Sequence, residues 1–185
     1  AVACLERVVE THPTGPWVRM ARAELAALYS KAARYEPAAA LYELVLGTEF
    51  RPWWLARYEW SAAENALVVP DRSDSGFAYF RGILETSAYN PRRHDAALRL
   101  GQSANPDDRW SAAAALIRFG SVKTAATLVE ALEPHAVTPE RVAEWNYLQG
   151  RVLMAGGEAA SGRELLTRLS TDPQAGSWGR SATAQ

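Results

Sequence analysis

The side chains that could take part in catalysis or bind a metal are few in this chain and stand far apart. Its three histidines are His12, His94 and His135. Each lies next to a predicted helix end or turn, a common place for histidine, and no two are close in sequence. The pair His94-Asp95 occurs in some metal sites, but those sites need further histidines that this chain does not easily supply. We therefore predict no metal site.

The sequence contains no catalytic motif. A Gly-x-Ser-x-Gly elbow, a phosphate-binding glycine loop and a His-Glu-x-x-His pair are all absent. Gly156 and Gly157 fall where a turn between helices is predicted, so they serve backbone geometry. Cys4, the one cysteine, lies in an apolar helical pattern and is predicted to be a small core residue rather than a nucleophile. We predict that the chain is not an enzyme and uses no cofactor.

Composition narrows the classes of partner. The 185 residues are 48% hydrophobic and 22% charged, as in ordinary folded proteins. Twenty Lys and Arg balance 21 Asp and Glu, which argues against a nucleic-acid or anionic-membrane surface. No stretch approaches the roughly 18 unbroken apolar residues of a membrane span, so we expect no membrane insertion.

Both ends of the chain resemble helix interiors, so we expect a piece of a longer protein. A signal peptide is not recognisable at the start. The sequence leaves the compartment open, with cytoplasm and periplasm both compatible.

Apolar residues at helical spacing recur throughout, and strand patterns are almost absent. Prolines stand where helices could begin, several after a capping residue. These prolines are Pro16, Pro52, Pro91, Pro106, Pro139 and Pro173. The pattern predicts an all-α fold with helices at about 1–11, 16–33, 36–47, 52–68, 74–88, 92–103, 107–119, 121–133, 139–155 and 158–170.

One pattern of small and large residues recurs along the chain. Its first copy is Ala26, Tyr29, Ala33, Tyr35, Ala38, Tyr42 and Val45. A shift of 87 positions gives Ala113, Leu116, Gly120, Val122, Ala125, Val129 and Leu132. A further shift of 36 gives Gln149, Val152, Gly156, Glu158, Ser161, Leu165 and Arg168, where three residues break the pattern.

The pattern resembles the tetratricopeptide repeat (TPR) family, in Leu25-Ala26-x₂-Tyr29, Ala38-x₃-Tyr42, Trp145-x₂-Leu148 and the closing Pro173. The resemblance implies one domain over 1–185, a right-handed superhelical solenoid of antiparallel helix pairs. Its units would be approximately 1–15, 16–52, 53–91, 106–138 and 139–173, with 92–105 as an extra helix.

Small residues explain how the paired helices approach each other. Ala26 and Ala38 would lie where two helices touch, while Tyr29 and Tyr42 would fill the space towards neighbouring pairs. In the degenerate unit 53–91, the small position of the first helix would be Ala62, followed by an insertion, Val69-Pro70-Asp71-Arg72. Its second helix would carry Gly76, Phe80 and Ile83.

In the TPR family the first helix of each unit lines a concave groove where partners dock. Carried over, the partner-binding residues would be Met20, Lys31, Glu59, Trp110, Arg118, Asn146 and Met154. Between them lie small residues, namely Ala23, Ala27, Ala63, Ala114 and Gly150. The family's peptide-carboxylate clamp needs a fuller set of Lys, Arg and Asn than Lys31, Arg118 and Asn146 provide. The groove better suits an apolar helix or an extended segment, unless these residues face neighbouring helices.

Four large aromatic residues crowd one predicted helix: Trp53, Trp54, Tyr58 and Trp60. They are either buried between neighbouring units or form an exposed binding surface. We expect a non-catalytic scaffold that binds a protein or peptide, with a second copy of the chain as an open alternative. The competing hypothesis is an accessory domain of a cell-envelope or glycan-processing enzyme that contacts glycan through these tryptophans.

Overall fold

The computed structural model describes residues 1–49, 51–86 and 91–184, which form eleven α-helices, one 3₁₀ turn and no strand. The helices are α1 (Val2–Thr11), α2 (Pro16–Lys31), α3 (Tyr35–Leu46), α4 (Pro52–Val68), α5 (Ser73–Thr86), α6 (Arg93–Leu100), α7 (Pro106–Arg118), α8 (Val122–Leu132), α9 (Pro139–Ala155), α10 (Ala159–Thr171) and α11 (Gly176–Thr183). The 3₁₀ turn is Glu133–His135. The predicted all-α class is confirmed. None of the described helices is both long and apolar enough to cross a membrane.

The chain divides into two compact units, Ala1–Ala96 and Ala97–Gln185, and α6 crosses the boundary between them. In the N-terminal unit each helix from α1 to α4 packs against the next one along the chain. In the C-terminal unit α7 packs on α8, α9 on α10, and α11 on both α9 and α10. Four neighbouring pairs are called hairpins below: α2–α3, α4–α5, α7–α8 and α9–α10.

Prolines and capping side chains set the helix starts. Proline is the first residue of α2, α4, α7 and α9, where a missing N–H is harmless. Asn105 and Thr138 cap α7 and α9 through bonds from the amides of Asp107 (3.0 Å) and Arg141 (3.2 Å). The predicted helices therefore agree with the observed ones to within a few residues. Positions 87 and 88, at the end of the predicted helix 74–88, lie outside the described residues. The helix α11 has no counterpart among the predicted ranges.

The turns inside three hairpins are closed by the same backbone hydrogen bond. In each, the amide of a residue after the turn donates to the carbonyl five positions earlier. The pairs are Arg34 with Tyr29 (2.8 Å), Ser121 with Leu116 (2.9 Å) and Glu158 with Leu153 (2.9 Å). The residue before each donor has a positive φ: Ala33 (57°), Gly120 (78°) and Gly157 (99°). This is the Schellman ending, which satisfies the last carbonyls of a helix.

These turns fix the spacing of the repeat. Ser121 follows Arg34 by 87 positions, as predicted, but Glu158 follows Ser121 by 37. The predicted spacing of 36 is therefore wrong by one residue. At 37 the third copy reads Gly150, Leu153, Gly157, Ala159, Gly162, Leu166 and Leu169, which keeps the small and large classes everywhere except Ala159.

The small residues lie where the helices of a hairpin touch. Ala26 and Ala38 are fully buried in the first hairpin. In the last hairpin, a Cβ on Gly162 would come within 2.7 Å of the carbonyl oxygen of Gly150. The backbones of α9 and α10 are thus too close there for any side chain, so these glycines carry the role of Ala26 and Ala38.

The degenerate hairpin α4–α5 keeps the contact with a longer turn. A Cβ on Gly76 would lie 3.1 Å from the carbonyl oxygen of Ala63, so Ala63 faces α5. The predicted Ala62 belongs instead to a core cluster with Tyr42 and Tyr58. Asp71, in the predicted insertion, has a φ of 62°.

The two tyrosines reach towards neighbouring helices, as predicted. Tyr29 donates a hydrogen bond to Glu6 of α1 at 2.5 Å. The ring of Tyr42 lies 6.3 Å from that of Tyr58 on α4, in a tilted contact. Consecutive helix pairs therefore share one core within the N-terminal unit.

The prediction for Cys4 is wrong, because its side chain is exposed. No residue of α1 is buried. The helix packs against α2 and α3 through half-buried side chains such as Leu5 and Val9, and Cys4 is not among them.

Replacing Ala38 by Leu tests the close contact of the first hairpin. The added side chain would overpack a fully buried position, so we expect the free energy of unfolding to fall by about 1–3 kcal/mol. Urea denaturation followed by circular dichroism measures this. Ala40→Leu, at an exposed position of the same helix, is the matched control and should change stability little. Equal effects of the two variants would contradict the proposed packing.

Exchanging alanine and glycine at the turns tests their left-handed geometry. Ala33→Gly should raise the free energy of unfolding by about 0.5–1 kcal/mol, because it relieves a backbone conformation that side chains disfavour. Gly120→Ala should lower it by about 1 kcal/mol, since a Cβ there meets no atom within 4 Å and only the backbone is strained. Effects of the same sign in the two variants would refute the shared turn.

Candidate functional site

One side of α2 is open to solvent. Trp17 is 75% exposed and Met20 55% exposed, although both are large and apolar. Glu24 and Lys31, also exposed, follow at helical spacing on the same side. The opposite side is buried against α1 and α3. An exposed tryptophan beside an exposed methionine is unusual on a helix whose other side is packed, and typical of binding surfaces.

The helix α4 presents a tryptophan and an arginine 37 residues after Trp17 and Met20, the same shift that relates Ala26 to Ala63. The ring of Trp54 stacks on that of Tyr58, with centroids 5.6 Å apart. The guanidinium groups of Arg51 and Arg57 lie 5.5 Å and 5.6 Å from the centroid of Trp54. Cation–π attraction therefore holds two positive charges against one indole ring.

The exposed sides of α2 and α4 are neighbours. Tyr58 of α4 shares a core cluster with Ala23 of α2. Burial raises the pKa of Tyr58, the charges of Arg57 and Arg51 lower it, and those of Glu49 and Glu24 raise it. We call this surface the α2–α4 face and define it by Trp17, Met20, Glu24, Trp54 and Arg57.

A buried carboxylate anchors one edge of this face. Glu49, only 6% exposed, accepts two bonds from Arg51, at 2.9 Å and 2.8 Å. Arg19 of α2 pairs with the same carboxylate at 3.4 Å and also donates to the carbonyl of Thr48. Because a buried charge must be paired, Glu49 ties α2 to the connection that precedes α4.

The C-terminal unit has a related arrangement in which the arginine is fully paired. The guanidinium of Arg141 lies 5.4 Å from the ring centroid of Trp110. It donates to Glu144 at 2.5 Å and also pairs with Asp107 of α7. Burial raises the pKa of Glu144, and the bond from Arg141 opposes that shift. One arginine thus joins α9 to α7 through both charge and ring contact.

The groove residues predicted from the sequence lie in different settings. Met20, Lys31 and Arg118 are exposed on their helices. Trp110 is only 3% exposed and lies beneath Arg141, so it offers no free ring. Ala23, at the equivalent position of α2, is also buried.

The one-residue shift of the repeat changes the equivalences on α9. Asn146 and Met154 do not occupy the hairpin positions of Trp110 and Arg118; Tyr147 and Ala155 do. Met154 packs against α10, beside Gly162. Asn146 lines a shallow pocket of about 330 Å³ together with Val137 and Val142.

Glu59 lies on the side of α4 that faces α5. Its Oε1 atom is 3.7 Å from the Cβ position of Gly82. Burial alone raises the pKa of Glu59, and no hydrogen bond or ion pair joins it to another residue in the described ranges. The side chain therefore carries a partly desolvated charge at a helix contact.

The described rings of the α4 aromatic cluster already contact other side chains of the protein. The ring of Trp60 meets Phe80 edge-on at 5.2 Å and lies under Arg92 at 4.8 Å. Trp54 is half-buried, and the side chain of Trp53 lies outside the described part of the chain. The sequence analysis did not select Trp17, the exposed indole. It selected residues by the clustering of aromatics in one helix, whereas Trp17 stands alone on the open side of α2.

The histidines are dispersed, and each has a simple setting. His94 lies 3.6 Å from Asp95, His135 contacts Arg109 at 3.0 Å, and His12 is exposed. Among the described side chains, no three His, Cys, Asp or Glu residues converge on a point where a metal could bind.

Comparison of the chain with protein-family models, with curated proteins and with solved structures found no match. Functional inference therefore depends on the geometry alone.

Replacing Glu59 by Gln tests the desolvated carboxylate. Its raised pKa means that the folded state disfavours the ionised form. This penalty is present above the folded-state pKa and disappears as the pH falls below the ordinary value of 4.5. Glu59→Gln should therefore raise the free energy of unfolding at pH 7, and its advantage should shrink towards pH 4.5.

Urea denaturation at a series of pH values measures the difference. Glu130→Gln, at an exposed position of α8, is the control and should show a much smaller change. A Glu59→Gln protein that is less stable than the parent at pH 7 would show that the carboxylate has a stabilising partner.

Proposed function

We propose that this chain is a non-catalytic scaffold that binds a protein or peptide on the open sides of its first-of-pair helices. In this proposal the hairpins stack as a right-handed superhelical solenoid of TPR-like pairs. The three identical Schellman turns and the small residues at each hairpin contact support it, because repeated hairpins that share a core build such solenoids. Repeat proteins of this kind present long surfaces to partners.

The observation that carries the proposal is the exposure of Trp17 and Met20 on the α2–α4 face. Large apolar side chains lose solvation free energy when they stay in water, and tryptophan is a common anchor in protein interfaces. Lys31 lies on the same side of α2 and supplies a polar edge. A partner with apolar side chains would bury this surface.

The alternative, an accessory domain that meets glycan through tryptophan, now depends on a different residue. Trp54 and Trp60 already have ring or cation partners on their faces or edges. Trp17 is the most exposed indole among the described side chains and would have to supply the sugar contact. Its neighbour Met20 favours an apolar partner over a sugar, which usually needs hydrogen-bonding groups beside the ring.

A capture experiment tests the scaffold proposal. The chain, immobilised as bait, is exposed to lysate of its source cell, and the bound proteins are identified by mass spectrometry. The same is done with the double variant Trp17→Ser, Met20→Ser. We expect a small set of proteins to bind the parent chain and to be reduced at least about tenfold with the double variant, a loss of about 1.4 kcal/mol or more.

Leu44→Ser is the matched control, because Leu44 is 52% exposed on α3, the second helix of its hairpin. It should leave capture unchanged. No capture by the parent chain, or equal capture by the double variant, would overturn the proposal. Retention of peptidoglycan fragments in place of proteins would favour the glycan alternative.

A further inference from the structure

Both units contain an arginine that lies over an indole ring, but only one of these arginines is paired with carboxylates of the described chain. In the C-terminal unit, Arg141 lies over Trp110 and is neutralised by Asp107 and Glu144. The planar guanidinium offers its face to the ring and its N–H groups to carboxylates, which is the arrangement that arginine favours. This set of contacts is complete within the unit.

The N-terminal unit contains a similar arginine–indole contact, at different repeat positions. Arg57 lies over Trp54, but no carboxylate among the described residues forms an ion pair with it. Glu49 is already held by Arg51 and Arg19. The exposed N–H groups of Arg57 are therefore available to an acceptor outside the described part of the chain.

Charge on the α2–α4 face and on the Glu49 cluster at its edge favours an acidic partner. Arg19, Lys31, Arg51 and Arg57 stand against Glu24 and Glu49, which leaves two net positive charges. Two excess charges are too few to hold a phosphate polymer, whose binding depends on many cationic contacts. One or two carboxylates of a peptide would balance them. Beside it, Trp17 and Met20 offer an apolar surface.

We infer that the α2–α4 face binds an acidic, apolar peptide segment: a carboxylate pairs with Arg57, and an adjacent aliphatic or aromatic side chain packs on Trp17 and Met20. This inference rests on the proposed scaffold function and specifies the chemistry of its partner. The carboxylate would give Arg57 the kind of ion pair that Arg141 already has in the C-terminal unit. Trp54 holds the guanidinium in place before the peptide arrives, which lowers the entropy lost on binding.

Fluorescence polarisation with a synthetic probe tests this directly. The probe is a fluorescein-labelled peptide in which glutamate, leucine and phenylalanine recur between serines. The matched peptide has glutamine in place of every glutamate. We expect the acidic probe to bind the full chain at least about tenfold more tightly than the glutamine peptide, which is the usual scale for one charge-assisted contact.

Variants assign the binding to the face. Arg57→Gln should weaken binding of the acidic probe about tenfold and remove its advantage over the glutamine peptide. Trp17→Ser should weaken both peptides alike, since it removes only the apolar contact. Arg163→Gln, at an exposed arginine of α10, is the control and should leave both affinities unchanged. Circular dichroism checks that each variant folds.

Three results would overturn the inference. The first is no binding of either peptide, and the second is equal affinity for the two peptides. The third is tighter, Arg57-dependent binding of a labelled oligothymidylate, which would identify phosphate as the ligand. Each leaves the scaffold proposal standing if lysate proteins are still captured through Trp17 and Met20. If lysate capture fails while the acidic probe still binds through Arg57, the scaffold proposal is refuted and the measured preference for an acidic peptide still stands.

Discussion

The backbone hydrogen bond that closes the hairpin turns is the constraint on which the rest of the fold depends. It joins an amide after the turn to a carbonyl of the preceding helix, and it requires a left-handed residue between them. Once the turn is fixed, the second helix starts at a set position and a small residue in it meets the first helix. A large side chain at that contact would separate the helices, so the small residues Ala38 and Gly162 follow from the turn rather than from helix propensity.

The same constraint explains what could be predicted from the sequence. Prolines and caps mark helix starts through local chemistry, and the helices were therefore located to within a few residues. The spacing of the last repeat was not, because in alanine-rich helices a shift of one residue still pairs small residues with small ones. The turn residue settles the spacing: Gly157, rather than Gly156, has the positive φ. Because the two glycines are adjacent, the sequence alone does not show which of them has the positive φ.

The exposure of the candidate binding residues could be predicted only in part, for a related reason. Met20 and Lys31 could be placed on an open side because α2 has a clear apolar stripe against its neighbours. Trp110 could not, since it is buried in a contact with Arg141, a residue 31 positions later, and such a contact is a tertiary property. Arg57 shows no sequence signal of its own. It becomes visible only when the repeat spacing of 37 aligns it with Met20.

Helices that share a backbone register can still present different chemistry. The position of Met20 in α2 is occupied by Arg57 in α4, by Asp107 in α7 and by Glu144 in α9. In the C-terminal unit the two carboxylates are bound by Arg141, so their charge serves cohesion. In the N-terminal unit the apolar side chain is exposed and Arg57 has a ring beneath it but no described carboxylate beside it. Pairing within the chain thus neutralises the charged residues at this position of α7 and α9, whereas no described carboxylate neutralises Arg57 on α4. An arginine that is already held against a ring loses little conformational entropy on binding. For a free surface arginine, the entropy lost would offset much of the free energy that the ion pair contributes.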